Sequence, residues 1–212
     1  MIKGAIASLL LSVIAVTIFA AEDGVDVAGV HKEPSPQINS RVVPPVVTEK
    51  YEYYEIGGDC EQELRSQMRQ NGCKWNDGKK YDSLTSWQWT WDYGYDRTPQ
   101  GCRADSFRTT VEIIFRLPKW VRADDVPQAL VDKWDIYMNN LIIHENGHRD
   151  MAVEAAAELS RTVAGLPPAS SCAELDRIVR ELSRERMKKL NADEMKYDET
   201  TEHGFTQGAV FP

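Results

Sequence analysis

The apolar residues in the second half of the chain recur at helical spacing. One stripe with intervals of three or four residues runs through Leu130, Trp134, Tyr137, Leu141, His144 and His148. The pattern continues to Val163 and stops at Gly165, while Asp124 or Asp125 can cap its start. A second helical segment follows from about residue 173 to residue 195. The sequence therefore predicts two long helices in this half.

The first half of the chain has the alternation and composition of strands. Residues 51–56 are rich in aromatic side chains and stop at two glycines, and residues 85–95 and 107–117 form two further predicted strands. Residues 61–70 read as a short helix. We therefore expect an α+β fold, in which an antiparallel sheet of three or more strands with a short helix precedes the two long helices.

Three tryptophans alternate strictly along the predicted strand 85–95. Trp87, Trp89 and Trp91 consequently place their indoles on one face of that strand. Such a stripe most often forms the core face of a sheet packed on a helix, and we favour that interpretation. The alternative is an exposed platform that binds a sugar or a peptide.

The N-terminus is typical of an exported protein. Lys3 precedes an uncharged stretch from Gly4 to Ala21, which predicts a secretory signal peptide over residues 1–21, with a membrane anchor as the alternative. Residues 22–48 contain four prolines and few large apolar residues, which favours a linker. Residues 49–212 then form one domain, and we expect it in the periplasm or outside the cell.

The four cysteines agree with export. An even number in an exported chain favours two disulfides, and three pairings are possible. Of these we prefer Cys60–Cys73 with Cys102–Cys172. The chain contains no C-x-x-C pair, so a zinc site built from these cysteines is not indicated.

The charge of the chain argues against a nucleic-acid partner. The formal net charge is −8, whereas binding to phosphates requires clustered Lys and Arg. The locally basic segment 177–189 alternates with glutamates and is explained by a solvated helix face with ion pairs.

A pentapeptide on the predicted helix carries the strongest chemical signal. His144-Glu145-Asn146-Gly147-His148 has the H-E-x-x-H spacing of zinc-dependent proteases. On a helix, residues four apart are offset by only about 40°, so both imidazoles face the same way. Two nitrogen ligands can then share one metal, with Glu145 placed to take a proton from water.

A catalytic zinc requires a third protein ligand, and three glutamates are the first candidates. Glu154 would lie about 9 Å beyond His148 on a continuing helix, too far to share the metal, so we reject it. Glu181 and Glu185 are available on the second helix, but both belong to a charge-alternating run that a solvated surface explains equally well.

The segment after the second predicted helix offers better ligands. It brings together Tyr197, Asp198, His203 and Gly204, and the glycine allows a sharp turn beside the imidazole. We therefore predict His203 as the third ligand. Asp198 is the alternative ligand, or else a residue that orients a ligand imidazole.

These residues resemble a known family. The resemblance is to the bacterial predicted secreted zinc proteases long catalogued as a domain of unknown function. It covers roughly residue 50 to the end and rests on Trp134, Tyr137, Leu141, His144, Glu145, Gly147, His148, Tyr197, Asp198, Thr201, His203, Gly204 and Gln207. It implies a metal-dependent peptidase of zincin type and specifies no substrate.

The sequence therefore predicts an exported zinc metallopeptidase that hydrolyses a peptide or protein substrate. His144, His148 and His203 would hold Zn²⁺ and Glu145 would act as general base. Tyr197 would donate to the oxyanion, or alternatively serve only in packing. The competing hypotheses are a zinc-binding protein without hydrolytic activity and a glycan- or peptide-binding envelope protein. We expect no stable membrane insertion once a signal peptide is removed, and the oligomeric state stays open.

Overall fold

A computed structural model describes residues 42–212. The elements in chain order are β1 (Val46–Ile56), α1 (Glu61–Asn71), β2 (Cys73–Lys74), β3 (Lys80–Tyr81), β4 (Leu84–Thr98), β5 (Gly101–Trp120), α2 (Gln128–Ala164), α3 (Cys172–Thr201) and a short 3₁₀ turn (Phe205–Gln207). The predicted α+β layout is confirmed. The predicted signal peptide and most of the predicted linker lie outside the described residues. Among the described helices, none combines the length and the apolar character that crossing a membrane requires.

The main sheet has three strands in the order β1-β5-β4. Strands β4 and β5 form a long antiparallel hairpin. Strand β1, by contrast, runs parallel to β5, so the sheet is mixed rather than wholly antiparallel. Parallel neighbours need a long crossover connection, and here α1, the small β2–β3 hairpin and β4 supply it. Strand β1 also begins at Val46, five residues earlier than the aromatic run predicts.

The tryptophan stripe of β4 belongs to the core, as predicted. Trp89 is buried, and the half-buried Trp87 and Trp91 pack against the same cluster. That cluster joins the inner face of β5 to the apolar stripe of α2, including Leu141 and Tyr137. Packing against α2 therefore fixes the position of the histidine motif relative to the sheet.

The two long helices are antiparallel and form the layer that carries the site. Arg186 of α3 contacts the carbonyl of Ala155 in α2, and Asp198 of α3 contacts His148, so α3 retraces the path of α2. Helix α2 begins after Pro127, later than the aspartates predict. Helix α3 continues to Thr201 rather than ending near residue 195. Its last turns consequently reach the level of the histidine motif.

Only one of the two preferred disulfides is present. Cys102 bonds to Cys172 and ties the start of β5 to the start of α3, which confirms that pairing. Cys60 and Cys73 are free thiols, so the second pairing is wrong. The physical reason is that they flank the two ends of α1, whose 11 residues span about 16 Å. A disulfide requires Cα atoms within about 7 Å.

Candidate metal centre

Helix α2 presents His144 and His148 on one face, one turn apart. Both are buried, and their ring centroids are 5.0 Å apart. The Nε2 atom of His144 lies 3.2 Å from Oδ1 of Asp198, and the Nε2 atom of His148 lies 3.1 Å from the same oxygen. Three potential ligand atoms from two helices therefore converge on one point, all within 4.8 Å of one another.

This donor set fits a divalent metal ion. Two imidazole nitrogens and one carboxylate oxygen are ligands that zinc and related first-row ions accept. The carboxylate supplies a negative charge beside two rings that are shielded from bulk water, where a cation would be stabilised. His144, His148 and Asp198 can therefore hold a metal.

The C-terminal segment orients the imidazole of His144 by contacts with Nδ1, the ring nitrogen that does not face Asp198. This Nδ1 atom lies 2.9 Å from Oε1 of Gln207 and 3.5 Å from Oγ1 of Thr201. A proton on Nδ1 can be donated to the Gln207 oxygen, which leaves the Nε2 lone pair directed at Asp198. Hydrogen bonds of this kind fix the tautomer and the ring orientation of metal-binding histidines.

The imidazole of His148 has a carboxylate behind it. Its Nδ1 atom is 3.8 Å from Oε1 of Glu194, which itself accepts a 2.7 Å hydrogen bond from the indole of Trp87. The tryptophan stripe of β4 thus holds Glu194 in place, and Glu194 faces the ring nitrogen that points away from Asp198. Glu194 lies one turn before Asp198 on α3.

The electrostatics of the pair His148–Asp198 are those of an ion pair. Burial lowers the pKa of His148, but the carboxylates of Asp198 and Glu194 outweigh it and raise that pKa to about 9. For Asp198, burial acts to raise the pKa, whereas its contacts with His144 and His148 hold it well below its usual range. Without a metal, Asp198 is therefore ionised and His148 is protonated near neutral pH.

The side chain of Glu145 meets Ser83 and Thr85 at the start of β4. It is only 4% exposed. The hydroxyl of Ser83 donates to Oε1 and the hydroxyl of Thr85 donates to Oε2, each at 2.5 Å. A buried carboxylate requires such donors, because an unsatisfied charge in the interior is costly. We call Ser83 and Thr85 the hydroxyl clamp.

The chain just before the hydroxyl clamp is anchored as well. The carboxylate of Asp82 accepts hydrogen bonds from Arg65 and, at 2.8 Å, from Tyr137. Its backbone carbonyl accepts a further bond of 2.7 Å from Tyr54. These contacts join α1, β1 and α2 to the residue preceding Ser83, so the clamp is held at a fixed distance from α2.

Tyr197 of α3 packs on the histidine motif. Its hydroxyl donates to the carbonyl of His144 at 3.2 Å and accepts from Nε2 of Gln207 at 3.1 Å. A Cβ added at Gly147 would lie 2.2 Å from that hydroxyl oxygen. The absence of a side chain at Gly147 thus lets α3 pack closely against α2. Because the Tyr197 hydroxyl already takes part in these hydrogen bonds, the structure favours a packing role for Tyr197. Its role as an oxyanion donor stays a prediction.

His203 lies at the edge of the centre. Its side chain is half exposed, its ring packs against Tyr81, and its Nδ1 atom is 3.5 Å from Oδ1 of Asp198. Among the described residues, the ligand group consists of His144, His148 and Asp198 without His203. The structure thus groups the alternative ligand, Asp198, with the two histidines, and His203 as a ligand stays a prediction. The difference arises because α3 continues past residue 195 and carries Asp198 directly onto α2.

The chain turns sharply after α3, as the glycine there predicts. Glu202, His203 and Gly204 all have positive φ angles. An added Cβ at Gly204, where φ is +86°, would lie 3.1 Å from Cγ of His144. The glycine therefore lets the C-terminal segment pass against the buried imidazole and bring Gln207 to it.

The glutamates weighed as third ligands lie away from the centre. Glu154 is exposed and forms an ion pair with Arg161, in agreement with its rejection as a ligand. Glu181 pairs with Arg177 on the solvated face of α3. The exposed pairs of Arg177 with Glu174 and Glu181 also confirm that the charged run of α3 is a solvated face.

The sequence reasoning missed the clamp residues and Glu194. Glu194 precedes Asp198 by four residues, so a helix predicted to continue through Asp198 would have placed both on one face. Ser83 and Thr85 carried no such signal, because their meeting with Glu145 depends on how β4 packs against α2.

Comparison with known proteins identifies the family of the chain. Residues 51–204 match the family described as "Bacterial protein of unknown function (DUF922)". No curated protein and no solved structure gives a match. The matched span covers more than half of the chain and includes the histidine motif, the hydroxyl clamp and Asp198. The chain therefore belongs to the bacterial family of unknown function DUF922.

Proposed function

We propose that the protein is an exported zinc-dependent peptidase. The observation that carries the proposal is the convergence of two Nε2 atoms, from His144 and His148, on one carboxylate oxygen of Asp198. These three residues hold the ion. His203 is retained as the alternative third ligand, because its Nδ1 atom lies 3.5 Å from the same oxygen.

The chemistry divides between the ion and Glu145. A bound zinc ion supplies Lewis-acid activation of water and of the scissile carbonyl. Glu145 takes the proton of the attacking water and passes it to the leaving amine. The hydroxyl clamp donates one hydrogen bond to each oxygen of the buried carboxylate and leaves lone pairs free on both. Tyr197 and Gln207 keep the imidazole of His144 aligned.

The proposed substrate is a peptide or a protein, the substrate class of the metalloproteases that carry an H-E-x-x-H motif. Export is supported by the apolar N-terminal stretch of the sequence and by the Cys102–Cys172 disulfide, a bond that persists in oxidising compartments.

One observation favours a second candidate function, a metal-binding protein that performs no hydrolysis. Glu145 is only 4% exposed and both of its oxygens accept hydrogen bonds from the clamp. In that case its carboxylate serves to join α2 to β4, and the motif binds metal alone.

The experiment that separates the two candidates compares three zinc-loaded proteins on a mixture of fluorescence-quenched peptides. These are the wild type, Glu145→Gln and, as a matched control, Glu154→Gln on the exposed face of the same helix. For a peptidase we expect cleavage by the wild type and by the control. Glu145→Gln should retain zinc but lose at least a hundredfold in rate.

Two results would count against the peptidase. Equal cleavage by Glu145→Gln and the wild type would remove Glu145 from the reaction. A wild type that holds stoichiometric zinc but cleaves no peptide in the mixture would favour the second candidate function.

A further inference from the structure

Strand β1 is an edge strand with an open outer side. The sheet order β1-β5-β4 gives β1 a single neighbour among residues 42–212. All 11 residues of β1 pair with β5 on the inner side, in register from Val46 to Ile56. The backbone N–H and C=O groups that point outwards form a ready template for another strand.

The outer edge also exposes large apolar side chains. They are Val46, Val47, Tyr51 and Tyr53, and Tyr51 and Tyr53 are 46% and 55% exposed. Tyr51 stacks on the buried Phe115 of β5, with ring centroids 4.9 Å apart, so it extends the core face of the sheet towards solvent. Exposed apolar side chains on a strand whose outer backbone groups have no partner are characteristic of a sheet edge that another chain covers.

We propose that β1 pairs with β1 of a second copy of this protein, antiparallel and about a two-fold axis at Tyr51. In this arrangement the two sheets join into one of six strands. A two-fold interface requires a self-complementary surface. The sequence of β1, VVTEKYEYYEI, has that property in this one register.

The charges of β1 select the register. With the axis at Tyr51, Lys50 faces Glu52 of the partner subunit, and this pair occurs twice. Cross-strand pairs of opposite charge stabilise a sheet, whereas like charges directly opposite destabilise it. With the axis one residue earlier, at Lys50, the two Lys50 side chains would lie opposite each other. With the axis at Glu49 or Glu52, two glutamates would lie opposite each other.

The length of β1 selects the same register. Tyr51 is the middle residue of the strand Val46–Ile56, so an axis there pairs all 11 residues, with Val46 opposite Ile56 of the partner subunit. With the axis at any other residue, one end of β1 in each copy would have no partner. The neighbouring pair places the carboxylate of Glu49 opposite the hydroxyl of Tyr53 of the partner subunit. Charge and length thus agree on one arrangement.

Sedimentation velocity over a range of protein concentrations tests the dimer. We expect a monomer–dimer equilibrium in the wild type and at least a tenfold weaker dimer in Lys50→Glu, because two attractive pairs become repulsive. The double variant Lys50→Glu/Glu52→Lys should restore the dimer. Lys188→Glu, which makes the same charge change on an exposed face of α3, is the matched control and should dimerise like the wild type.

Disulfide trapping tests the axis. In a Cys60→Ser/Cys73→Ser background, Tyr51→Cys should form a disulfide-linked dimer on oxidation, because directly opposed Cα atoms lie about 4.5–5.5 Å apart. Tyr53→Cys should form no such disulfide, because residue 53 of the partner subunit would lie four positions away along the paired strand. A protein that stays monomeric at all concentrations would overturn the proposal. So would a dimer that tolerates Lys50→Glu and forms no Tyr51→Cys bridge.

Discussion

The phenol ring of Tyr197 stacks on the imidazole of His144, with centroids 5.0 Å apart and ring planes only 8° apart. The hydroxyl of Tyr197 reaches past the ring to the carbonyl of His144, over the space that Gly147 leaves without a side chain. Helix α3 therefore packs directly against the histidine motif. This contact sets the distance between the histidines on α2 and Asp198 on α3.

The first prediction follows from the contact at Gly147. A methyl group there would lie 2.2 Å from the Tyr197 hydroxyl, so Gly147→Ala must displace the Tyr197 ring from its place on the histidine motif. We expect the free energy of unfolding to fall by about 1–3 kcal/mol and zinc to bind more weakly. Urea unfolding and zinc titration measure the two effects. Gly165→Ala, where the nearest atoms are 3.5 Å away, is the control and should change neither quantity; full stability in Gly147→Ala would refute the packing described.

The hydroxyl clamp gives a second prediction. Thr85→Val keeps the shape of the side chain but removes one donor from the buried Glu145 carboxylate. We expect a loss of about 1–3 kcal/mol in unfolding free energy, the typical cost of an unsatisfied buried acceptor. Thr90→Val, on the exposed face of the same strand, should stay within about 0.5 kcal/mol of the wild type. Equal effects of the two variants in chemical denaturation would show that the clamp does not stabilise the carboxylate.

The third prediction concerns pH. The pKa of His148 in the metal-free protein is raised to about 9 by Asp198 and Glu194, against the effect of burial. His148 therefore carries a proton at pH 7 that a metal must displace. We expect release of about one proton per zinc bound at pH 7, and an affinity that falls about tenfold per pH unit below about pH 9.

Calorimetric titration at pH 7 in two buffers of different ionisation enthalpy measures this release. Binding enthalpies that are independent of the buffer would contradict it. The same raised pKa stabilises the metal-free fold fully below about pH 6.5, the ordinary value for histidine, and this contribution disappears as the pH rises through about 9.

The cysteines give a fourth prediction. Because Cys102 and Cys172 enclose 70 residues, the Cys102→Ser/Cys172→Ser variant should lose about 2–5 kcal/mol of stability. Cys60→Ser/Cys73→Ser should be nearly neutral, since those thiols are not bonded to each other. Thiol titration of the unfolded, unreduced protein should find two free groups. Finding no free thiol would show that Cys60 and Cys73 are bonded to each other.

The sequence was most informative where the periodicity was long. The apolar stripe from Leu130 to His148 predicted both the helix and the common face of its two histidines, since 3.6 residues per turn leave little freedom. The alternation of Trp87, Trp89 and Trp91 likewise predicted the core face of β4. These features depend on local geometry, which the residues themselves determine.

The errors lie where distant segments meet. The charged stretch at the end of α3 contains no glycine or proline before Gly204, and packing against α2 keeps it helical through Thr201. The sequence alone suggested an earlier end, which placed Asp198 in a tail and made His203 the preferred ligand. The parallel pairing of β1 with β5 was equally hidden, because neither strand's sequence pattern indicates the direction in which its neighbour runs.

The measurement that tests the central claim most directly is the zinc content of the purified protein in three forms. These are the wild type, Asp198→Ala and His203→Ala, each checked for an intact fold by circular dichroism. A centre built from His144, His148 and Asp198 predicts near-stoichiometric zinc in the wild type and in His203→Ala, with zinc lost from Asp198→Ala. Zinc retained in Asp198→Ala but lost from His203→Ala, or no zinc in the wild type after exposure to the metal, would contradict it.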